Sequence, residues 1–260
     1  MQLSVSLALG AFAVLHGDNP PYDPAATAYF SRMAAQPGPA RKGQINTLIV
    51  ALKAAGVWAK LDFLYLLAAH DAQAGRLNMV ANDELAPVNS PLFTVDRGFK
   101  GDGAAAYLES ALTQSALPKA GQNDASWLLG VRQIGETSRF VIGAISAVRF
   151  AFQGRAAGGV SVRNTQGAVS DDVASVPQTG RFGSTRAGAT DHRVFRNGEL
   201  VGTFATSSSA PSSQAILLFR GGSVYSSAEV THYGAGASLT PAQQAAADAA
   251  IQNYLQAIGA

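Results

Sequence analysis

Acid–base chemistry and metal binding both rest on carboxylates and imidazoles, so these residues are weighed first. A glycosidase needs two carboxylates flanking one bond, and a strand supplies them on one face at alternate positions, as in E-x-D-x-x-E. The sequence holds no such run. Asp83 and Glu84 are adjacent and point oppositely if extended, while Asp171 and Asp172 sit in the polar stretch VSDDVAS. Glu199 follows an Asn-Gly turn, and Glu229 opens a strand alone. All read as solvated surface. The histidines, His16, His70, His192 and His232, are dispersed, with neither H-x-x-x-H nor H-E-x-x-H spacing for zinc. His70-Asp71 reads as a helix end, where a cation suits the C-terminal dipole. Asp191-His192 would need a distant serine to form a hydrolytic triad, and there is no G-x-S-x-G elbow. The glycine clusters GFKGDG, GRAAGG and FRGGS do not fit a phosphate-binding G-x-x-x-x-G-K-[ST] loop. No catalytic or cofactor-binding residue is assigned, and the chain is read as non-enzymatic.

Binding offers more material. The loop stretches GDG (101–103), QND (122–124) and SDD (170–172) supply oxygens suited to Ca²⁺, although turns are rich in Asp and Asn for local reasons. No metal ligand is assigned from them. A sugar site needs an aromatic platform with planar polar groups; Trp127, Tyr225, Tyr233, Arg132 and Arg149 are the candidates on or near strands. Trp58 and Trp127 read first as core indoles.

Composition narrows the partners. Of 260 residues, 47% are hydrophobic, enough for one large core. Only 14% are charged, and the net charge of +2 comes from basic residues scattered singly apart from Arg41-Lys42, so nucleic acid is not an expected partner. No stretch approaches the ~18 uninterrupted apolar residues of a membrane span. With no cysteine, disulfides, thiolate metal sites and a cysteine nucleophile are excluded.

Three textures divide the chain: 1–22, 23–76 and 77–260. In the first, Leu3, Val5, Leu7 and Leu9 alternate with Gln2, Ser4, Ser6 and Ala8, which favours a strand. No Lys or Arg precedes that run, so a signal peptide ending near residue 14 is the weaker reading. The breaker GDNPPY follows, and the region is read as an attachment or assembly segment. The second region is read as helical. Asp23-Pro24 starts a helix that runs to Gln36 and ends at PGP, 37–39. Ile45, Leu48, Ile49 and Leu52 form the stripe of a second helix, and 55–76 continue as a third.

From about Leu77 short strands alternate with turns, as in an all-β sandwich. The expected strands are 92–96, 125–133, 139–145, 146–153, 159–164, 214–220 and 229–236, plus a hairpin over HRVFRNGELVGTFAT centred on Asn197-Gly198. Val148, Phe150 and Phe152 share one face, opposite Arg149 and Ala151. AILLFR reads as a strand covered on both sides. Thr240, Pro241 and Gln243 form the capping box of a last helix with Ala247, Ile251, Leu255 and Ile258 as its stripe and Gly259 as its stop.

In that order, VDRGFKGDGAAAYLES (95–110) as a first strand pair, HRVFRNGELVGTF (192–204) and SAEVTHYGAGASLTPAQQAAADAAIQNYL resemble the concanavalin A-like lectin/glucanase jelly roll of the LamG and pentraxin-like kind. The stretch RKGQINTLIVALKAAGVWAKLDFLYLLAAHDAQAGRLN is similar to a segment directly ahead of this jelly roll in tailed-phage and prophage structural proteins. The resemblance covers about residues 24–258. It implies an antiparallel two-sheet jelly roll with a helical N-terminal region and a C-terminal helix, in a structural protein of a tailed-phage virion such as a head decoration, fibre or tail-tip subunit. Other virion proteins, a homo-oligomer and a cell-surface glycan are the partners implied. A secreted lectin or glycan-active enzyme is the alternative.

Overall fold

The computed structural model describes residues 22–144, 149–167 and 169–260, so the alternating segment 3–9, and with it Val148, lies outside the described residues. Helix α1 (Pro24–Phe30) starts as expected, with Asp23 accepting the Ala25 N–H and Pro24 in the first turn. It stops at Phe30, not at Gln36. The Gln36 amide turns back onto the Phe30 and Met33 carbonyls at 2.7 and 3.2 Å, and Arg32 reaches across to Asn78 and Ala81. Side chains thus satisfy the carbonyls that another turn would have used. Helix α2 (Pro39–Ala54) buries the expected Ile45, Leu48, Ile49 and Leu52.

The third expected helix does not form. After a single turn at Trp58–Lys60, the chain enters strand β1 (Leu61–Tyr65), and only α3 (Ala72–Arg76) is helical. A short run such as LDFLYLL, apolar but for Asp62, has no period to separate strand from buried helix. Pairing with residues 233–236 decides for strand. His70-Asp71 is likewise at a helix start: Asp71 caps α3, accepting the Gln73 and Ala74 N–H groups at 2.9 and 3.2 Å.

The remainder is strand, beginning with β2 (Ala86–Val88), β3 (Leu92–Thr94), β4 (Gly98–Lys100), β5 (Tyr107–Thr113) and β6 (Ala125–Gln133). Then come β7 (Phe140–Gly143), β8 (Arg149–Gly154), β9 (Val160–Gln166), β10 (Asp171–Val173), β11 (Gly180–Gly188), β12 (Asp191–Arg196) and β13 (Glu199–Phe204). The chain ends with β14 (Ala215–Leu218), the small hairpin β15 (Arg220–Gly221) and β16 (Val224–Tyr225), β17 (Glu229–Gly236) and helix α4 (Pro241–Ala257). One sheet runs β13-β12-β11-β6-β17-β4-β3, with β1 also on β17, and the other runs β10-β9-β8-β7-β14-β5-β2. This is the expected mainly β, antiparallel two-sheet sandwich of jelly-roll type with a C-terminal helix. Residues 95–110 are not a strand pair, however. β4 pairs with β3 and β17, whereas β5 lies in the opposite sheet beside β14 and β2. Asp102 accepts three successive N–H groups, from Ala104 to Ala106, each at 2.8 Å, in the turn that carries the chain between sheets.

The Asn197-Gly198 hairpin has the positive φ values a type I′ turn requires, 51° and 81°, and joins β12 to β13. α4 opens with the reciprocal Thr240–Gln243 capping box. Its buried face is Gln244, Ala247, Ala250, Ile251 and Tyr254, rotated slightly from the expected stripe, so Leu255 and Ile258 are half-buried. No helix among the described residues is long and apolar enough to cross a membrane.

Two apolar clusters follow. Trp127, Phe150, Phe152, Phe182, Val194 and Tyr233 fill the space between the sheets. Leu48, Leu52, Leu61, Leu64, Leu128 and Ile251 join the helices to the outer face of the larger sheet. That sheet is therefore buried on both faces. α4 comes close because β11 presents Gly183 beneath it, where a Cβ would stand 2.3 Å from the Gln244 amide oxygen. Arg181 then fixes the helix with a bidentate pair to Asp248 at 2.8 and 2.9 Å.

Candidate functional site

The inward face of the sandwich turns polar at one end. Alternation along β9, β10, β11 and β12 carries the face that begins with Val162, Val173, Phe182 and Val194 onto Asn164, Gln166, Asp171, Ser184, Arg186 and His192. All six are buried. His192 Nδ1 lies 2.5 Å from Asp171 Oδ2 and its Nε2 lies 2.8 Å from Ser184 Oγ, which also accepts from Asn164 Nδ2 at 3.0 Å. Serine, histidine and aspartate thus form the hydrogen-bond sequence of a hydrolytic relay. The carboxylate is Asp171, not the neighbouring Asp191, which pairs with Arg193 at 2.9 Å. Asp171 lies in a strand and is 4% exposed, so the expectation that Asp171-Asp172 forms a solvated loop is corrected.

Electrostatics fix the protonation states. Burial pushes the His192 imidazole below its ordinary range despite the adjoining carboxylate. At Asp171 burial alone would raise the pKa, and the hydrogen bonds from His192 and Thr206 overcome it, holding the carboxyl low. His192 is therefore neutral, donating from Nδ1 to a charged Asp171 and accepting the Ser184 hydroxyl proton at Nε2. Arg186 is fully buried beside them and donates to the carbonyls of Asn164, Ala189 and Thr206 and to Gln166 Oε1, at 2.7–3.2 Å. The bonds to Asn164 and Gln166 cross from one sheet to the other. The Ser184 hydroxyl has no path to a substrate, because Ser184 and His192 are both 0% exposed. The cluster is a polar tie through the sandwich. An organophosphonate serine probe is expected to leave the folded chain unmodified; mass-spectrometric labelling at Ser184 would mean that the cluster opens.

The sugar candidates disperse. Trp127 and Tyr233 are sealed in the core, Trp127 donating from its indole to the Arg163 carbonyl at 3.0 Å. Arg132 pairs with Glu229 at 3.5 Å. The Arg149 side chain lies outside the described structure. Tyr225 meets Tyr107, ring centroids 6.2 Å apart, but Arg220 stacks on both rings at 5.4 and 4.8 Å and occupies the faces a sugar would use. The loop oxygens are also committed: Asp102 to its turn, Asp124 to the Ser238 N–H, and Asn123 to Ser208. Among the described residues no three His, Asp or Glu side chains converge as a metal-binding group.

Trp58 behaves differently from the expected core indole. It is half-buried and forms one wall of a cleft of about 440 Å³ between α1 and the loop that follows α3. Ala25, Ala28, Met79 and Val80 supply apolar lining, with Ser31, Arg32 and Asn82 as its polar groups. Arg32 holds the loop to the helix, donating to the carbonyls of Ala28, Asn78 and Ala81 at 3.4, 2.5 and 2.8 Å. Arg32 and Asn82 also border a second hollow of about 360 Å³, edged by Gln73, Asp83 and Glu84. There Asp83 accepts the Tyr65 hydroxyl and Glu84 pairs with Arg76 at 2.7 Å. The Asn82 amide has no hydrogen-bond partner among the described residues, and Lys53 Nζ stands 5.8 Å from the Trp58 ring. Sequence reading missed this site because its parts come from three separate segments.

No protein-family model matches the chain, and no curated protein matches its sequence. Solved structures do share its shape. The binding domain of Paraclostridial mosquitocidal protein 1 superposes with a TM-score of 0.56 at 7% identity, covering 72% of this chain and 51% of that one. What is shared is the β-sandwich fold. A Trypanosoma rangeli sialidase in complex with 2,3-difluoro-KDN matches at 0.54 and 10% identity, covering 78% of this chain and 38% of that one. The receptor-binding domain of botulinum neurotoxin C/D mosaic serotype matches at 0.50 and 10% identity, with 71% and 49% covered. The chain spans about half the length of these structures or less. At such identities the likeness is one of fold.

Proposed function

We propose that this chain is a non-enzymatic glycan-binding sandwich carried on a tailed-phage virion, and that the Trp58 cleft receives the sugar. The observation that carries the reading is a half-exposed indole facing an uncommitted Asn82 amide across a cleft wide enough for one or two sugar rings. An aromatic face stacks on the apolar side of a pyranose, and planar amides and hydroxyls bond its rim. Arg32 is committed to three carbonyls, and Asp83 and Glu84 edge the adjoining hollow, which favours an uncharged sugar. The fold likeness to a toxin binding domain and a receptor-binding domain supports a binding role. The virion setting rests on the sequence resemblance.

Glycan-array profiling of the full chain tests the cleft. Trp58→Ala is expected to weaken any glycan bound by the unaltered protein at least tenfold, and Asn82→Ala severalfold, with circular dichroism unchanged. Equal binding by the Trp58 variant would overturn the cleft assignment. Mass spectrometry of purified particles tests the setting. A fixed copy number of chains against the major capsid protein supports it; a mature chain in the culture fluid starting after Ala13 would favour the secreted lectin.

A further inference from the structure

Arg220 and two tyrosines meet on the sheet remote from the helices. Burial alternates along β5, with Leu108 and Ser110 buried and Tyr107 and Glu109 half-buried on the outer face. Tyr225 reaches Tyr107 from the hairpin β15–β16. That hairpin packs on β7 so closely that the Phe140 ring leaves no room for a Cβ at Gly221. Gly222 turns it at φ 63°, and the Ser226 N–H closes its base on the Phe219 carbonyl at 2.9 Å.

The two rings, centroids 6.2 Å apart and tilted by 48°, form a notch. The Arg220 guanidinium carbon sits across it, 4.8 Å from the Tyr107 centroid and 5.4 Å from that of Tyr225. Its Nε donates to the Gly222 carbonyl at 3.0 Å. Stacking and this one bond fix the plane of the group. Its two terminal nitrogens have no hydrogen-bond or ion-pair partner among the described residues, and neither do the two phenol hydroxyls. Arg41, Arg76, Arg132, Arg155, Arg181 and Arg193 each meet a carboxylate instead.

We propose that Arg220 binds the carboxylate of a uronic acid, with the Tyr107 and Tyr225 hydroxyls bonding the sugar hydroxyls beside it. The free end of the fork presents two N–H groups, the spacing that the two oxygens of one carboxylate match. Its single charge balances a carboxylate, whereas a phosphate monoester carries about −1.5 to −2 at neutral pH. Both ring faces are covered by the guanidinium, so the ligand approaches along the edge and a neutral sugar finds no stacking surface. An aspartate or glutamate side chain brings no hydroxyls for the phenols. This site goes beyond the Trp58 cleft, which lies on the helical side of the sandwich, so either assignment can fail alone.

Ligand-observed NMR titration of the full chain with sodium D-glucuronate tests it, against methyl α-D-glucoside, acetate and inorganic phosphate. Glucuronate is expected to bind about tenfold more tightly than acetate or the glucoside. Arg220→Lys keeps the charge but loses the two-point fit, and should weaken glucuronate about tenfold. Tyr107→Phe with Tyr225→Phe keeps both rings and should weaken it severalfold, while Trp58→Ala should change nothing. Glucuronate binding no tighter than acetate overturns the proposal and leaves a site for any carboxylate, a peptide side chain included. Tighter binding of phosphate, or equal glucuronate binding by Arg220→Lys, also overturns it. Loss in Trp58→Ala with retention in Arg220→Lys would move the acid to the Trp58 cleft.

Discussion

Lowering the pH from 7.5 to 4.5 is expected to remove about 2–3 kcal/mol of unfolding free energy through His232 alone. This histidine lies on the helix-facing side of β17, and burial, aided by the nearby Arg181 charge, pushes its pKa from the ordinary 6.5 down to about 3. Between those values the unfolded chain binds a proton that the folded chain refuses. Stability then falls with pH by about 1.4 kcal/mol per unit. His192, also lowered by burial, adds to the loss below 6.5. Asp62 acts in the opposite direction just above the ordinary carboxylate range, because burial raises its pKa. Asp171, held low, adds to the loss once the pH approaches 3.8. Urea denaturation at several pH values measures the slope, and His232→Leu should reduce it by about one proton per molecule. Stability that stays flat from pH 6.5 to 4.5 would show that His232 is protonated in the folded state.

Replacing Asp171 is expected to cost about 3–5 kcal/mol, the range for breaking a buried charged pair from one side. Its carboxylate accepts from His192 and Thr206, and of the two carboxylates acting on the buried Arg186 it has the larger effect. Asp171→Ala removes the stronger of the two countercharges on Arg186 and leaves the His192 and Thr206 donors unpaired between the sheets. Asp171→Asn keeps one acceptor and should cost less. Ser184→Ala removes a single hydroxyl and should cost about 1 kcal/mol. Midpoints of urea denaturation order the three variants. A cost below that of Ser184→Ala would mean that Asp171 does not balance Arg186.

How much of this was legible depended on locality. The Asn197-Gly198 hairpin, the Thr240–Gln243 capping box and β6 and β17 were readable because their signals lie within a few residues. β1 was not, since Leu61–Tyr65 has no period of its own and takes its form from a partner far along the chain. The polar tie was half legible. Strand alternation places His192 on the same face as Val194, hence inward, but VSDDVAS gives no sign that Asp171 turns in to meet it. The Trp58 cleft could not be read, because nothing local to α1, Trp58 or the loop at 78–84 announces that the three converge.

The position of β1 also bears on how the protein is made. Tyr65 pairs with Tyr233, so the strand that completes its edge emerges from the ribosome 168 residues later (233 − 65). At about 5–20 residues per second that delay is on the order of ten seconds or more. Throughout it, LDFLY is a largely apolar strand whose β17-facing edge is unpaired, open to pairing with another nascent chain. Holding that segment apart until β17 arrives is a demand this topology places on the cell that produces it.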